Sequence, residues 1–244
     1  MMDDLIKELQ IKIEKLENEI NFKNGLISIM SHDSKEMFGN FLWIIEALEQ
    51  KTISEEDFHK MLPHLKNDAR KNLQTVEDST AWLKTQYGSF KIKPEKIMLK
   101  DIFHLLEEKY AKTLKEKNID FFFKGDQNAF LTTDRLLLQY VLDKIFNNAI
   151  KYSFPGQEIH LQQVITNDQV VLSVVDFGTG IDQKYLSTIY SYDNPVFQGT
   201  AGEKGVGLSL KIVKNFIFLM QGNIDILSSE KGTTVSLFLP NFNE

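Results

Sequence analysis

The stretch Asn147-Asn148-Ala149-Ile150-Lys151 is followed by two glycine clusters, Asp176-Phe177-Gly178-Thr179-Gly180 and Gly202-Glu203-Lys204-Gly205-Val206-Gly207. Glycine adopts positive φ readily and lets backbone N–H groups approach phosphate oxygens closely. The second cluster runs into a helical apolar pattern, so its N–H groups would face an anion at a helix N-terminus. Together these segments predict a nucleotide pocket. The helical apolar pattern after the second cluster consists of Val206, Leu208, Leu210, Ile212 and Val213.

The commoner glycine motifs do not account for these clusters. Gly202 and Gly207 have P-loop spacing, but Leu208 stands where the phosphate-binding lysine belongs, and neither cluster completes a dinucleotide fingerprint. Taken singly, each cluster is more often a turn than a site. The combination favours a site, because Asn148 offers an amide oxygen suited to Mg²⁺ and Asp176 an acceptor at a strand end.

At these residues the chain resembles a known family. Segments 141–153, 176–180 and 199–210 resemble the N, G1 and G2 boxes of sensor histidine kinases, and segment 222–240 is similar to the closing strands of the same ATPase domain. The resemblance implies an α/β-sandwich ATPase domain of Bergerat (GHKL) type that binds ATP with Mg²⁺. The ATP-binding residues it implies are Asn148, Lys151, Tyr152, Asp176, Gly178, Gly180, Lys204, Gly205, Val206, Gly207 and Leu208.

The resemblance also implies roles for four of these side chains. Asn148 is expected to coordinate Mg²⁺, Lys151 to contact a phosphate oxygen, and Lys204 to close on the γ-phosphate. Asp176 is expected to accept a hydrogen bond from the adenine amino group, which selects adenine over guanine because guanine presents a carbonyl there. Lys144 is a departure, since family members often carry a second Asn at that place.

The N-terminal part carries a heptad pattern. Apolar residues alternate at steps of four and three from Met2 to Leu48, interrupted only by the polar Lys23 and Ser34. Such a seam predicts a coiled coil, and additional apolar residues widen it in its second half, which suits a two-stranded coil opening into a four-helix bundle. A second helix is predicted after the N-cap residue Ser54. The widening residues are Leu26, Ile29, Phe38, Leu42, Trp43 and Ile45.

These patterns predict an α+β protein in which a coiled coil and helical hairpin, forming a four-helix bundle in the dimer, precede the ATPase domain. The expected domains are a coiled-coil signalling helix over 1–25, a dimerisation and histidine phosphotransfer domain over 26–89, and a catalytic ATP-binding domain over 90–244. Within the last domain the patterns predict helices and strands, with a mobile lid over 181–204. The helices are 99–117, 133–152 and 206–221, and the strands 119–124, 158–165, 169–176, 224–227 and 233–239.

His32 is the candidate phosphoacceptor. If Ile27 and Ser34 are a positions, His32 falls at f and faces water. Asp33 follows directly and can hold one imidazole nitrogen or take its proton while the other attacks phosphorus. The segment resembles the H box of dimerising histidine-kinase helices, which implies His32 and Asp33 as the catalytic pair.

The H-box resemblance has two departures. Family members often have Thr or Asn four residues after the histidine and Pro five after it, whereas this chain has Glu36 and Met37. The missing proline takes away the residue associated with the usual bend of this helix. Loss of Thr or Asn bears on phosphatase activity, because those side chains are thought to orient the hydrolytic water.

Composition limits the functional classes. The chain has 244 residues, a net charge of −6 and no cysteine, and its basic residues are interspersed with acids, so nucleic-acid binding and thiolate chemistry are not expected. No apolar run is long enough to span a bilayer, and the N-terminus does not have the layout of a signal peptide. We expect a cytoplasmic location, as a whole protein or as the soluble portion of a longer, membrane-attached sensor.

The sequence therefore predicts a histidine kinase that autophosphorylates His32 and passes the phosphoryl group to a response-regulator aspartate. Its expected partners are a second copy, through residues 2–87, and the receiver domain of a response regulator. Two alternatives stay open. One is another ATPase of the same fold, such as a topoisomerase, mismatch-repair or chaperone subunit. The other is a degenerate kinase that dimerises and binds a regulator as a scaffold.

Overall fold

A computed structural model of the chain describes residues 2–86, 91–126, 128–166, 169–190, 197–203 and 209–241. The chain divides into two compact units, Met1–Thr85 and Gln86–Glu244. The predicted domain boundary at residue 89 falls among residues 87–90, outside the described part. No helix in the described ranges is long and apolar enough to cross a membrane.

The first unit is a helical hairpin of α1 (Met2–Glu49) and α2 (Glu55–Gln86). The start of α2 is the one that the sequence predicts, because the Ser54 hydroxyl accepts a hydrogen bond from the Asp57 backbone N–H at 3.1 Å and donates one to the Asp57 carboxylate at 2.7 Å. A side-chain cap of this kind satisfies helix N–H groups that have no partner within the helix.

The C-terminal part of α1 packs in the core of the hairpin. Ile44 and Ala47 of α1 and Trp82 of α2 are buried, and the Ser34 hydroxyl lies 3.4 Å from the Asn72 amide oxygen on α2. The polar interruption at Ser34 thus meets a polar residue of the second helix. Within this single chain, several apolar residues of the seam and of its widened second half are exposed. They include Ile6, Leu9, Ile13, Leu16, Ile20, Ile27, Phe38, Leu42, Trp43 and Ile45.

The second unit is a layer of helices packed on a twisted sheet. Its five-stranded sheet has the order β2-β4-β5-β7-β6, with β2 parallel to β4 and the other neighbours antiparallel, and β1 pairs with β3 in a separate two-stranded sheet. The helices are α3 (Leu99–Lys117), α4 (Arg135–Tyr152), α5 (Gln183–Leu186) and α6 (Ser209–Leu219). The strands are β1 (Pro94–Met98), β2 (Asp120–Lys124), β3 (Phe130–Asp134), β4 (Glu158–Ile165), β5 (Gln169–Asp176), β6 (Asn223–Ser229) and β7 (Gly232–Pro240).

Strand alternation builds the core of this unit. Along β5, residues Val170, Leu172 and Val174 are buried while the residues between them are partly exposed, as expected of a sheet covered on one face. Helices α3, α4 and α6 cover that face, and α4 is the central helix with ten buried residues. The α/β-sandwich architecture expected from the sequence is confirmed.

The structure differs from the predicted elements at three places. Strands β1 and β3 are not predicted, and α4 begins at residue 135 because Asp134 caps it, its Oδ1 accepting from the Leu136 and Leu137 N–H groups at 3.1 Å each. The predicted lid also contains ordered structure, namely α5 and a hydrogen-bonded turn over residues 197–203. Residues 191–196 and 204–208 of that region lie outside the described part.

Candidate nucleotide-binding site

The C-terminal end of α4 carries three predicted site residues, Asn148, Lys151 and Tyr152. Lys151 is buried, and its Nζ donates to the Tyr152 hydroxyl at 3.0 Å and to the Phe197 carbonyl at 3.3 Å. Burial lowers the pKa of Lys151, whereas the Glu203 carboxylate raises it and the Lys117 charge lowers it further. The Lys151 ammonium is thus partly desolvated by burial, and a desolvated cation attracts an anion strongly.

Asp176 lies at the end of β5 and is buried. Its Oδ1 accepts hydrogen bonds from the backbone N–H groups of Gly178 at 3.0 Å and Thr233 at 3.2 Å. Burial raises the pKa of Asp176 to about 6, against the opposing effect of those two hydrogen bonds. At neutral pH the carboxylate is therefore mainly an ionised acceptor in a fixed orientation, which fits a donor such as the adenine amino group.

The two glycines of the first cluster have a packing role that the sequence does not reveal. A Cβ at Gly178 would collide with the carbonyl oxygen of Tyr152. A Cβ at Gly180, whose φ is +65°, would collide with the carbonyl oxygen of Ser229. The N–H of Thr179 between them donates to the Tyr152 carbonyl at 3.0 Å. These glycines bring the loop against the chain's own backbone, and their contact with a nucleotide stays a prediction.

Three residues that the sequence analysis does not single out join the site, Lys117, Thr200 and Glu203. The buried Nζ of Lys117 donates to the carbonyl oxygens of Ile150 at 2.7 Å and Lys151 at 2.9 Å, and to Oε1 of Glu203 at 2.9 Å. In the sequence, Lys117 is marked only as a lysine in the last turn of a helix, and Glu203 only as an acid within a glycine cluster. Both are common on protein surfaces.

Several predicted residues lie beyond what the structure describes. These are Lys204, Gly205, Val206, Gly207 and Leu208, and the side chain of Asp33. No group of three or more His, Cys, Asp or Glu side chains that could hold a metal exists among the described residues. Asn148, the predicted Mg²⁺ ligand, has a half-buried side chain and lies one helical turn before Lys151.

His32 belongs to the other unit. Its side chain is 75% exposed on α1, as the f position predicts, and its Nδ1 lies 4.0 Å from Oε2 of Glu36 one turn later. The imidazole is therefore accessible to a phosphoryl donor. Its catalytic role stays a prediction.

Comparison with known proteins agrees with the fold. Residues 133–243 match the sequence model of the histidine kinase-, DNA gyrase B- and HSP90-like ATPase family. The chain is similar to the autoinducer 2 sensor kinase/phosphatase LuxQ of Vibrio vulnificus, 26% identical over 97% of this chain and 29% of LuxQ. It is also similar to the sensor histidine kinase YclK of Bacillus subtilis, 23% identical over 98% of this chain and 50% of YclK. The chain thus spans half or less of these relatives.

Solved structures give the same result. The histidine kinase AdeS of Acinetobacter baumannii superposes with a TM-score of 0.68, at 16% identity, over 87% of this chain and 98% of the AdeS chain. The histidine kinase ThkA in complex with the response regulator protein TrrA superposes with a TM-score of 0.64, at 17% identity, over 87% of this chain and 58% of that chain. At these identities the superpositions establish the fold.

Proposed function

Because the chain is homologous to sensor histidine kinases and its residues 133–243 are an ATPase domain of the histidine kinase, DNA gyrase B and HSP90 type, we propose that it is an ATP-dependent protein histidine kinase. The γ-phosphoryl group of ATP is transferred to His32 and then to an aspartate of a response-regulator receiver domain. The protein acts as a homodimer through residues 2–87, in the cytoplasm.

The observation that carries this proposal is the orientation of Asp176. Two backbone donors hold Oδ1, and no hydrogen bond within the described ranges reaches Oδ2. A buried carboxylate with a fixed, unpaired oxygen is suited to accept from the adenine amino group. Lys151, on the neighbouring end of α4, supplies positive charge for the phosphates.

The exposed His32 supports the kinase over other ATPases of this fold. One imidazole nitrogen attacks the γ-phosphorus, the bond from phosphorus to the bridging oxygen breaks, and ADP leaves with that electron pair, while Asp33 takes the proton of the other nitrogen. Mg²⁺ held by Asn148 would neutralise phosphate charge. The protein's own contribution is mostly to position the groups and stabilise charge.

A dimeric scaffold without turnover is the second candidate, and one observation favours it. Lys144, which stands where family members often have Asn, is buried with its Nζ 5.2 Å from the centre of the Tyr140 ring. A lysine in that position brings a cation where an amide oxygen would help to hold Mg²⁺. The two candidates differ in whether the protein becomes phosphorylated.

Incubation with γ-labelled ATP and Mg²⁺ separates them. We expect the protein to retain label that is lost in acid and stable in base, as a phosphohistidine is. His32→Gln should abolish labelling and leave ATP binding intact, whereas His59→Gln, at an exposed histidine of α2, should label normally. Label retained by His32→Gln would refute the assignment of His32, and an unlabelled protein that still binds ATP would favour the scaffold.

A further inference from the structure

Beyond the residues already assigned, we propose that Lys117 and Glu203 are positioning residues for the nucleotide phosphates: their half-buried ion pair fixes the 197–203 turn against the end of α4 and so holds the Lys151 side chain in place. This inference rests on the proposed function, since it takes Lys151 as the phosphate contact. Neither residue touches the reacting atoms, and both act through Lys151.

The 197–203 turn is a closed hydrogen-bonded unit. The N–H of Gly199 donates to the Glu203 carbonyl at 2.7 Å, and the N–H of Gly202 donates to the Gly199 carbonyl at 3.0 Å. The Glu203 carboxylate also closes the turn, because its Oε2 accepts from the Ala201 N–H at 2.8 Å. The Glu203 side chain therefore has one oxygen for the turn and the other for Lys117.

The turn is joined to the last turn of α4 by several bonds. The Lys151 carbonyl accepts from the Thr200 N–H at 3.0 Å and from Lys117 Nζ at 2.9 Å, and the Thr200 hydroxyl donates to the Ser153 carbonyl at 2.6 Å. Helix C-terminal carbonyls have no partner within the helix, and a cation is favourable beside them. Lys117 therefore satisfies the end of α4 and attaches the turn with one ammonium group.

The 197–203 turn also holds the Lys151 side chain. Its first residue, Phe197, provides the carbonyl that accepts from Lys151 Nζ at 3.3 Å and from the Tyr152 hydroxyl at 3.3 Å. If the turn leaves α4, Lys151 loses this acceptor and its ammonium is free to turn toward solvent. The backbone carbonyl and the side chain of Lys151 are thus both held by groups that depend on the ion pair between Lys117 and Glu203.

The charges support this arrangement. Lys117 is only 8% exposed, so its charge requires an anionic partner, which Glu203 provides at 2.9 Å. Burial alone would raise the pKa of Glu203, but the hydrogen bonds from Lys117 and from backbone N–H groups outweigh it and lower that pKa. The Glu203 carboxylate therefore stays ionised through neutral pH and remains an anionic partner for Lys117.

Two titrations test the proposal, one with a non-hydrolysable ATP analogue and Mg²⁺, the other with adenosine. Lys117→Met keeps the apolar stem and removes all three donated bonds, and we expect about tenfold weaker binding of the analogue with adenosine binding unchanged. Lys112→Met is the control, because this lysine lies on the same helix α3 and is 87% exposed. In a Lys151→Met background the effect of Lys117→Met should disappear.

Each outcome has a separate meaning. Unchanged analogue binding by Lys117→Met, or equal losses for analogue and adenosine, would overturn the positioning role, as would a full effect in the Lys151→Met background. If Lys117→Met does not fold, as judged by its thermal unfolding curve, Glu203→Gln decides by the same titrations. An unmodified protein that binds no analogue would refute the proposed function itself.

Discussion

The backbone N–H of Thr233 donates a 3.2 Å hydrogen bond to Oδ1 of Asp176, so the closing hairpin of the sheet fixes the carboxylate at the end of β5. The Gly178 N–H donates to the same oxygen at 3.0 Å. Two donors on one oxygen determine which atom Asp176 can offer to a ligand. Oδ2 is therefore the oxygen that Asp176 has available for a ligand.

Asp176→Asn should weaken adenosine binding by about 10- to 100-fold. The two backbone donors require an oxygen at the Oδ1 place, so the amide NH₂ of asparagine would face the adenine amino group and leave two donors opposed. Titration of both proteins with adenosine measures the loss. Asp225→Asn, at an exposed residue of β6, is the control, and equal affinities of Asp176→Asn and the unmodified protein would contradict the placement of adenine here.

Adenosine affinity should fall as the pH is lowered through about 6, the raised pKa of Asp176. Protonation puts a hydrogen on the acceptor, and adenosine has no phosphate whose ionisation would confuse the titration. The same shift has a defined sign for stability: the folded state binds the proton more tightly than the unfolded chain, so this group's contribution decreases as pH rises from 3.8 to about 6. Asp176→Asn should lack both effects, and an unchanged pH profile in that variant would exclude Asp176 as their source.

Asn148→Ala should weaken binding of the ATP analogue in the presence of Mg²⁺ by roughly tenfold, with much less effect when Mg²⁺ is replaced by EDTA. The amide oxygen is a ligand of the kind that Mg²⁺ accepts in partly hydrated sites. Asn147→Ala provides a matched control, since Asn147 is the preceding residue of α4 and is exposed. The proposed metal contact would be wrong if the two variants showed the same Mg²⁺ dependence.

The sequence predicts the sheet and the helices of the ATPase unit well because their patterns are local. Helix α3 occupies the predicted residues 99–117, and the paired strands β4 and β5 occupy the predicted 158–165 and 169–176. Strands β1 and β3 escape prediction because neither has a clear apolar alternation of its own and each is specified by its partner strand, with Ile97 paired to Leu131. Short segments carry too little periodicity to distinguish a strand from a loop.

The distinction between local sequence patterns and long-range contacts also applies to the candidate site. Asp176 and Lys151 occur in segments that the family resemblance marks, and the structure places them at adjoining ends of β5 and α4. Lys117 joins the site only through contacts with Ile150, Lys151 and Glu203, which lie 33, 34 and 86 positions away. Such contacts depend on the fold of the whole unit. A single sequence contains no local pattern that records them.

Dimerisation should depend on the exposed seam of α1. Ile13→Asp with Ile20→Asp places charges at two a positions, where a coiled coil would bury them without partners, and should shift the chain toward monomer. Both residues are more than half exposed in the single chain, at 54% and 55%, so the substitutions should leave the fold of the subunit intact. Light scattering gives the mass.

The control for the seam alters charge on the outside of the same helix. Lys7→Asp with Asn21→Asp changes two exposed b positions and should leave the dimer mass unchanged. If the seam variant kept the mass of the unmodified protein, the heptad register of residues 2–48 would be wrong. If both variants became monomers, general charge repulsion would explain the result better than burial in a seam.

Glu36 should limit phosphatase activity toward the phosphorylated regulator. Its Oε2 lies 4.0 Å from His32 Nδ1, and its side chain is 64% exposed on the face of α1 that carries the histidine. A carboxylate accepts hydrogen bonds and cannot donate one, and its negative charge repels an incoming phosphoryl group. Glu36→Thr replaces it with a hydroxyl that can both donate and accept.

We expect the Glu36→Thr variant to dephosphorylate the regulator at least about tenfold faster than the unmodified protein, while Lys35→Thr, at an exposed neighbouring position, changes little. The decisive measurement is the decay of phosphorylated regulator with each protein at equal concentration. Rapid decay with the unmodified protein would mean that Glu36 itself assists the attacking water, and the direction of the proposed effect would be wrong.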